Sequence, residues 1–491
     1  MSTNILHKEE RHFFTLLAEL IFSNPFSIER STITSMFGIV IDQHNESYQH
    51  THHYNAVIPT LKAMLLQLSE RGIYGINDIA TDDKQRLEYA LLFLLYHEYT
   101  DEFDQLINAQ AEQHNTPLNV SFAKTLLNQL HRYGFTEQEA LRYFALFYQF
   151  RRAYFFIHKA LIGDASCMRE LRHALWNNIF TADVRLYANH LWNRMEDFST
   201  LLLGDTGTGK GSAAAAIGRS GLIPFDVYSN RFSENFTDAF VSINLLEYSE
   251  NLIESELFGH RKGAFTGAID HYKGLFERCS PHGSLLLDEI GDVSIPIQIK
   301  LLNVLQQRRF KPVGSHEHKR FHGRVIAATN RDLTQLRHAD EFRDDFFYRL
   351  SSDVIQMPTL QQRIEQSPQE LEQLIESLVT RMTQATNPAL VDQIVSTLEK
   401  NLPANYHWPG NVRELEQAVR HIILNNHYRI NARPPQPNHW IEQLQQGQFN
   451  AQELMAHYCQ LLYQQHGTYE QVAKITALDR RTVKKYIDSA K

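Results

Sequence analysis

The chain has 491 residues, more than one compact core accommodates, so roughly two to four domains are expected. Lys and Arg number 48 against 56 Asp and Glu, a formal charge of −8 that argues against a nucleic-acid coat protein but not against one small basic module. The cysteines, Cys167, Cys279 and Cys459, are far apart; they give no metal spacing and no disulfide framework, which fits a reducing cytoplasm.

Lys8, Glu9, Glu10 and Arg11 precede any apolar run, so the start of the chain does not read as a signal peptide. No stretch is apolar for long enough to span a bilayer. Residues 1 to about 165 read as helical, with apolar residues at helical spacing in Phe13–Phe22, Leu87–Tyr96 and Phe122–Leu130. Ala140–Ile162 is dense in aromatics: Tyr143, Phe144, Phe147, Tyr148, Phe150, Tyr154, Phe155 and Phe156. A buried helix of a bundle is the favoured reading; a self-association face or a pocket for an apolar ligand is the alternative. His44, His50, His52 and His53 have neither Cys nor paired carboxylates beside them, so they read as a solvated loop rather than a metal site. Short apolar strands ending in Asp, the pattern of a phospho-receiver, are not seen. The input to this region is not legible.

From about Arg169 strands alternate with helices, the mark of a parallel sheet with crossovers. Candidate strands are Thr200–Leu203, Ala239–Ile243, Ser284–Leu287 and Arg324–Ala328. The first ends in a glycine-rich turn, Gly204, Asp205, Thr206, Gly207, Thr208 and Gly209, followed by Lys210. Such a turn converges backbone N–H groups on phosphate oxygens, and the next helix adds its positive end. Lys210 is then placed to reach the β- and γ-phosphates. The third strand ends in Asp288 and Glu289. A carboxylate there can hold Mg²⁺ through water, and its neighbour can polarise an attacking water. Asn330, at the tip of the fourth strand, can sense the γ-phosphate or hold the water. Between strands lies ESELFGHRKGAFTGA, Glu254–Ala268, where two glycines flank a short segment that can push an aromatic outward.

These residues carry a resemblance. The stretch from about Leu201 to Leu424 resembles the AAA+ domain of bacterial enhancer-binding proteins, the activators of sigma-54 RNA polymerase. The hallmark loop is intact as Gly263, Ala264, Phe265, Thr266, Gly267 and Ala268. The match continues through LLLDEIGDV, QIKLLNVLQQRRFKPVGS, RVIAATNRDL, FRDDFFYRL and WPGNVRELEQAV. The resemblance implies that the Gly204–Gly209 turn, Lys210 and Gly211 hold ATP, that Asp288 positions Mg²⁺ and that Glu289 orients the water. It implies that Asn244 pairs with that glutamate and that Asn330 is the first sensor. Arg343 and Arg349 would reach a neighbouring subunit's γ-phosphate, and Arg413 would be the second sensor, on a helical lid. It further implies that the GAFTGA loop contacts sigma-54 and that the domains assemble from dimers into a hexameric ring.

The sequence departs from the pattern in three places. Gly211, then Ser212, follow the lysine where a general P-loop has a hydroxyl, which weakens the first helical turn. The link between Gly218 and Ala239 is longer than the family's usual one. The helix after Arg363, IEQSPQELEQLIESL, has unexpected wording. Gly211 also leaves Mg²⁺ binding more dependent on Asp288; neither of the other two departures touches the chemistry, and an active ATPase is expected.

NARPPQPN, Asn431–Asn438, and the Gln-rich QLQQGQ, Gln443–Gln448, read as an extended solvated linker. Beyond it, Glu453–Gln464 has helical periodicity. Thr468 is placed to cap a short helix, Tyr469–Ile475, with Gln471 completing a capping box. Thr476, Ala477 and Leu478 make the turn, and Asp479 caps a second helix carrying Arg480, Arg481, Thr482, Lys484 and Lys485. Val472, Ala473, Leu478, Val483 and Ile487 supply the apolar face of the module. Two short helices with a tight turn, the second basic, read as a helix-turn-helix, and they resemble the Fis-type DNA-binding module. Lys484 and Lys485 would meet phosphates; Arg480, Arg481 or Thr482 would read bases of an upstream duplex site.

The expectation is a multidomain protein. Residues 1–165 form a helical regulatory domain, 166–358 an α/β AAA+ P-loop ATPase subdomain and 359–430 its helical lid. Residues 431–450 are the linker and 451–491 the helix-turn-helix. The expected function is a cytoplasmic, sigma-54-dependent transcriptional activator that uses ATP and Mg²⁺ to remodel a closed promoter complex with RNA polymerase holoenzyme. The alternative is an AAA+ remodelling ATPase with another client.

Overall fold

The computed structural model describes residues 5–37, 57–113, 116–403, 406–428 and 449–489. The His44–His53 cluster and both linker tracts lie outside them. Two compact units result, Met1–Asn426 and His427–Lys491.

The first unit opens with helices α1 (Lys8–Phe22), α2 (Ile28–Met36), α3 (Val57–Glu70), α4 (Thr81–Glu98), α5 (Thr100–Glu112), α6 (Ala123–Arg132), α7 (Glu137–Ala160) and α8 (Ser166–Phe180). The central one, α7, starts in a capping box: Thr136 Oγ1 accepts from Glu139 N–H at 3.3 Å and Glu139 Oε2 accepts from Thr136 N–H at 2.9 Å. Of its aromatics Phe144, Phe147, Tyr148 and Phe156 are buried, while Tyr143, Phe150, Tyr154 and Phe155 are only partly so; two polar residues that sequence reading passed over, Gln149 and Arg152, are buried as well.

A short helix, α9 (Val184–Leu186), runs into a π-helical turn, Tyr187–Leu191, and then into strand β1 (Thr200–Leu203). With β4 (Phe240–Asn244), β5 (Ser284–Asp288), β8 (Arg324–Thr329) and β9 (Asp353–Gln356) this makes a parallel sheet in the order β4-β5-β8-β1-β9. The short pairs β2 (Phe225–Asp226) with β3 (Arg231–Phe232) and β6 (Arg309–Phe310) with β7 (Lys319–Arg320) are antiparallel hairpins. The inner strands β1, β5 and β8 are buried on both faces, which is why they read as continuous apolar runs. Leu201, Leu285, Leu287, Val325 and Ala327 pack on one side with α11 (Glu250–Phe258), α12 (Leu275–Arg278), α13 (Ile295–Gln307), α14 (Leu333–His338) and α15 (Asp344–Leu350). Leu202, Leu286, Ile326 and Ala328 face the other way. That side merges with α10 (Lys210–Gly218) and the N-terminal helices into a single core.

The N-terminal bundle therefore does not stand apart from the α/β domain. Two of the sequence departures are where it attaches. The long link after Gly218 folds into the β2–β3 hairpin, whose Phe232 stacks on Tyr148 at 3.9 Å and Phe144 at 5.6 Å. Asn230 closes the hairpin onto the bundle through Val120 N–H and C=O, each at 3.0 Å. The second departure lies in the lid, built from α16 (Leu360–Gln366), α17 (Gln369–Thr383), α18 (Pro388–Asn401) and α19 (Asn411–Asn425). Glu370, fully buried, pairs with Arg363 at 2.6 Å and accepts the N–H groups of Asp164 and Ala165. Arg363 in turn donates to the carbonyl of Ile162 at 2.6 Å.

The second unit comprises α20 (Ala451–His466), α21 (Tyr469–Thr476) and α22 (Arg480–Ser489) around Cys459, Leu462, Val472, Val483 and Ile487. Ala477, at φ 56°, makes the turn. Asp479 caps α22 by accepting from Arg481 and Thr482 N–H at 2.8 and 3.0 Å. The capping box at Thr468 does not form. The Thr468 side chain accepts from no α21 backbone N–H; its hydroxyl instead faces Gln471 Oε1 at 3.5 Å. An exposed Thr–Gln pair gains little over water there.

Candidate nucleotide site

The register of the sheet brings the site together. Asn244 sits opposite Asp288, Asp288 opposite Ala328, and Leu203 opposite Thr329. The strand tips of β4, β5, β8 and β1 therefore end on one edge, the usual place for a ligand in a parallel α/β sheet.

At that edge Gly204, Gly207 and Gly209 take φ of 151°, 81° and 97°. Only glycine adopts these angles freely, and two of the positions are also closed in space. A Cβ on Gly207 would lie 2.2 Å from the Gly410 carbonyl oxygen, and one on Gly204 would lie 2.8 Å from Met357 Cβ. Thr208 hydroxyl donates to the Asp205 carbonyl at 2.8 Å, closing the turn. Lys210, at the start of α10, is buried and folds back to donate to the carbonyls of Gly204 (2.7 Å) and Asp205 (3.1 Å). Burial pushes its pKa down, while Glu289, Asp288 and Asp205 pull it back up and Arg413 lowers it. These five charges thus share one small volume. Gly211 has open space around it.

Asp288 and Glu289 are half-buried. Glu289 has a left-handed backbone, φ 57°, which turns its side chain off the strand line. Burial and then Asp288 raise its pKa, against the opposing pull of Lys210 and the Asn330 N–H. Its Oε2 is buried with no hydrogen-bond partner among the described residues. A carboxylate pair with an unsatisfied oxygen beside a lysine is a donor set that suits a hydrated divalent cation and a water. Asn330 donates from Nδ2 to Thr206 Oγ1 at 2.8 Å, so the tip of β8 holds the glycine-rich turn directly. Asn244 Oδ1 accepts from Leu246 N–H at 3.0 Å; its place is beside Asp288 in the sheet.

The lid closes over the turn. Val412 N–H donates to Gly207 C=O at 3.1 Å, and Asn411 Nδ2 to Thr206 C=O at 3.1 Å. Asn411, buried and at φ 52°, also accepts from Leu360 N–H at 2.8 Å. Sequence reading singled out Arg413, which is exposed, and missed Asn411. Its signal was a polar residue between Gly410 and the first apolar position of the helix.

Arg343 and Arg349 lie on the α15 segment, not in this cluster. The Arg343 guanidinium is exposed and pairs with Asp345 at 2.8 Å; Arg349 donates to the Leu305 carbonyl at 2.8 Å. The Gly263–Ala268 loop is closed at its base by Gly263 N–H to Ala268 C=O at 2.8 Å. Gly263 and Gly267 have φ of 78° and 104°. Phe265 is 41% exposed at the tip, its ring edge-on to His260 at 5.0 Å. Across the base, Arg261 N–H donates to Val313 C=O at 3.0 Å and Val313 N–H to Gly259 C=O at 2.9 Å, so the β6–β7 hairpin segment braces this loop.

In the second unit Arg481, Lys484 and Lys485 are exposed on α22, Thr482 is partly buried, and Arg480 pairs with Glu470 at 2.8 Å. Among the described residues no cluster of His, Cys, Asp or Glu could hold a metal by protein ligands alone, and no helix is long and apolar enough to cross a membrane.

A parallel α/β sheet with a glycine-rich turn, an acidic strand tip and a helical lid defines a P-loop nucleotide-binding domain. Residues 184–356 match the sigma-54 interaction domain family, and residues 354–458 match the AAA+ ATPase lid domain. The central region of this chain is thus a sigma-54 interaction domain followed by an AAA+ lid. Among curated relatives, the DNA-binding transcriptional activator HyfR of Escherichia coli (strain K12) is 40% identical over 228 residues, 46% of this chain and 31% of that protein. The sigma54-dependent transcriptional activator SfnR of Pseudomonas putida is 38% identical over 226 residues, 46% of this chain and 57% of SfnR. The matched stretch is therefore less than two thirds of either relative. The crystal structure of NtrX from Brucella abortus in complex with ATP covers 79% of this chain and 86% of that one, at 18% identity and a TM-score of 0.40, too low a likeness to bear on the site.

Proposed function

We propose that the chain is a sigma-54-dependent transcriptional activator that hydrolyses ATP to remodel the closed promoter complex. The observation that carries this reading is the intact GAFTGA loop, with Phe265 exposed at its tip, in the same domain as the nucleotide cradle. The Gly204–Gly209 turn and Lys210 bind the triphosphate. Asp288 holds Mg²⁺ through water, and that ion, when bound, neutralises phosphate charge. Glu289 orients and deprotonates the attacking water from its buried oxygen. Asn330, through Thr206, and Arg413, on the lid helix, read whether the γ-phosphate is present.

Arg343 and Arg349 act on a neighbour's nucleotide in a ring of subunits, as a cation supplied in trans makes hydrolysis depend on assembly. Their position away from this chain's own phosphate turn supports that role. Residues 451–491 are a helix-turn-helix that binds duplex DNA, with Lys484 and Lys485 on phosphates and Arg480, Arg481 or Thr482 on base edges. Arg480 must exchange Glu470 for DNA to take part, a small cost at an exposed pair. Residues 1–165 regulate the assembly.

The test is ATP-dependent open-complex formation by sigma-54 holoenzyme, with wild-type protein and Thr266→Ala side by side. Opening by the wild type, lost in a variant that still hydrolyses ATP near the normal rate, is the expected result. ATP hydrolysis without opening by either protein overturns the sigma-54 client in favour of another.

A further inference from the structure

A cavity of about 160 Å³ lies in the N-terminal bundle between α1, α2, α4, α7, α8 and the π-helical turn. Its wall is built from rings. Phe22 and Tyr89 meet edge to face at 4.7 Å, Tyr96 and Phe147 do so at 5.5 Å, and Phe150 stacks with Trp176 at 6.2 Å. Of the α7 aromatics that are only partly buried, Tyr143, Phe150 and Tyr154 line this space. Arg185 and Asn189, both exposed, stand where it meets solvent.

The three arginines and two of the tyrosines at the cavity have partners outside its lining. Tyr143 donates to Glu88 at 2.6 Å, and Tyr89 accepts from Gln85 at 2.7 Å. Arg151 is held by both carboxylate oxygens of Asp104, and Arg185 pairs with Asp183 at 3.1 Å. Arg30 donates to the carbonyls of Leu20 and Ser23 at 3.0 and 2.9 Å. His97 is neutral at physiological pH, since burial, then Arg30 and Arg151, push its pKa down to about 3. Among the described lining residues there is no Asp or Glu. An anion would have to take arginines from Asp104 and Asp183, and a cation would find no carboxylate. Either charge would lose its hydration without gaining a counter-charge of its own.

Size and shape limit the ligand further. A cavity of roughly 150 Å³ with apolar walls accepts a molecule the size of benzene. Aromatic walls favour a flat ring by edge-to-face and offset contacts. We propose that this cavity binds one uncharged, monocyclic aromatic molecule about the size of benzene.

Hydrogen bonds lead from the cavity towards the nucleotide. Ala188 and Asn189 of the π-helical turn line the cavity. Their neighbour Tyr187 donates to Gln149 Oε1 at 2.9 Å, and Gln149 Nε2 donates to the Ser220 carbonyl at 2.8 Å, just past the end of α10. Single π-helical turns recur at functional sites, where a small shift of the turn moves its side chains. An effect of the ligand on ATP hydrolysis rests on the ATPase reading; the binding itself does not.

The test uses the full chain and sealed-cell calorimetry with benzene, cyclohexane, benzoate and benzylammonium as probes. Saturable one-to-one binding of benzene is expected, with cyclohexane weaker by roughly fivefold. The two ions should be weaker by at least roughly tenfold. Ala188→Leu, which adds volume at the π-helical turn, should weaken benzene by at least roughly tenfold. Benzene should also change tryptophan fluorescence, and Trp176→Phe should keep the binding and lose that change. No saturable benzene binding, binding unchanged in Ala188→Leu, or a fluorescence change that survives Trp176→Phe overturns the site. Either ion binding as tightly as benzene overturns the uncharged ligand, and cyclohexane binding as tightly overturns the aromatic one. The probe panel on the wild type decides the matter even if Ala188→Leu fails to fold. Saturating benzene should change steady-state ATP hydrolysis by about twofold or more. Tight binding with no such change supports the site and overturns the path to α10.

Discussion

Arg152 donates to the carbonyl oxygen of Arg219 at 2.7 Å, joining the middle of the bundle's central helix to the end of α10, the helix that follows the glycine-rich turn. The side chain is fully buried, and its guanidinium lies 4.4 Å from the Tyr148 ring centre. Burial pushes its pKa down to about 10, so it keeps its charge at neutral pH. A helix end has carbonyls without intrahelical partners, and here a charged donor from another helix satisfies them.

Replacing that donor exposes the cost of its absence. Arg152→Met should destabilise the first unit by about 2–4 kcal/mol, because two buried carbonyls lose a charged partner. Equilibrium unfolding in urea measures it. Arg152→Lys, which keeps the charge but not the fork, should recover only part of the loss. Full stability in Arg152→Met would mean the carbonyls find water instead.

The glycines of the phosphate turn make a paired test. Gly207→Ala combines φ 81° with a Cβ 2.2 Å from the Gly410 oxygen, so it must push the lid from the turn. ATP affinity is expected to fall at least roughly tenfold, the equivalent of ~1.4 kcal/mol. Gly211→Ala meets no atom within 4 Å and improves helix propensity. It should bind ATP normally and gain about 0.5–1 kcal/mol. Equal behaviour of the two variants in nucleotide titration would refute the steric account.

Glu289→Gln keeps the shape of the side chain and removes the base. Hydrolysis should drop roughly 10²–10⁴-fold while ATP binding persists. Lys210→Ala should lose binding first. Steady-state rates and nucleotide titration separate the two; a Gln variant with normal turnover would remove Glu289 from the chemistry.

The bundle has its own acid sensitivity. Asp83 is buried, and its carboxylate takes hydrogen bonds from Arg11 at 2.8 and 2.7 Å and from Leu6 N–H at 2.9 Å. The Arg11 bond is the largest cause holding its pKa below the ordinary value. A depressed carboxylate adds stability above its unfolded pKa of about 3.9, and that stability is lost as pH falls from there through the folded value. Thermal melts of wild type should therefore fall steeply below about pH 4. Asp83→Asn should be less stable at neutral pH and have a flatter acid limb. Parallel profiles for the two proteins would assign the acid loss elsewhere.

The chemistry of the central region was legible because it is local. A glycine-rich turn after an apolar run, an Asp-Glu pair after another and a loop of small residues around one phenylalanine each occupy a few consecutive positions. The strands that bear the first two, β1 and β5, begin where their apolar runs begin. What escaped was non-local. Arg152 and Glu370 look in sequence like any solvated charge, since their burial comes from partners 67 and 206 positions away. The edge strand β9 reads Asp-Val-Ile-Gln, too short and polar to stand out. The odd wording after Arg363 had no visible purpose until the bundle was seen against it.

The Glu370–Arg363 pair has a further consequence. It belongs to the lid, yet its remaining contacts are the backbone of Ile162, Asp164 and Ala165 at the foot of the bundle. The lid also grips the phosphate turn through Asn411 and Val412. A continuous path of hydrogen bonds therefore runs from the foot of the bundle through the lid to the glycine-rich turn. If releasing the bundle changes nucleotide affinity by some factor, bound ATP must change the bundle's attachment by that same factor.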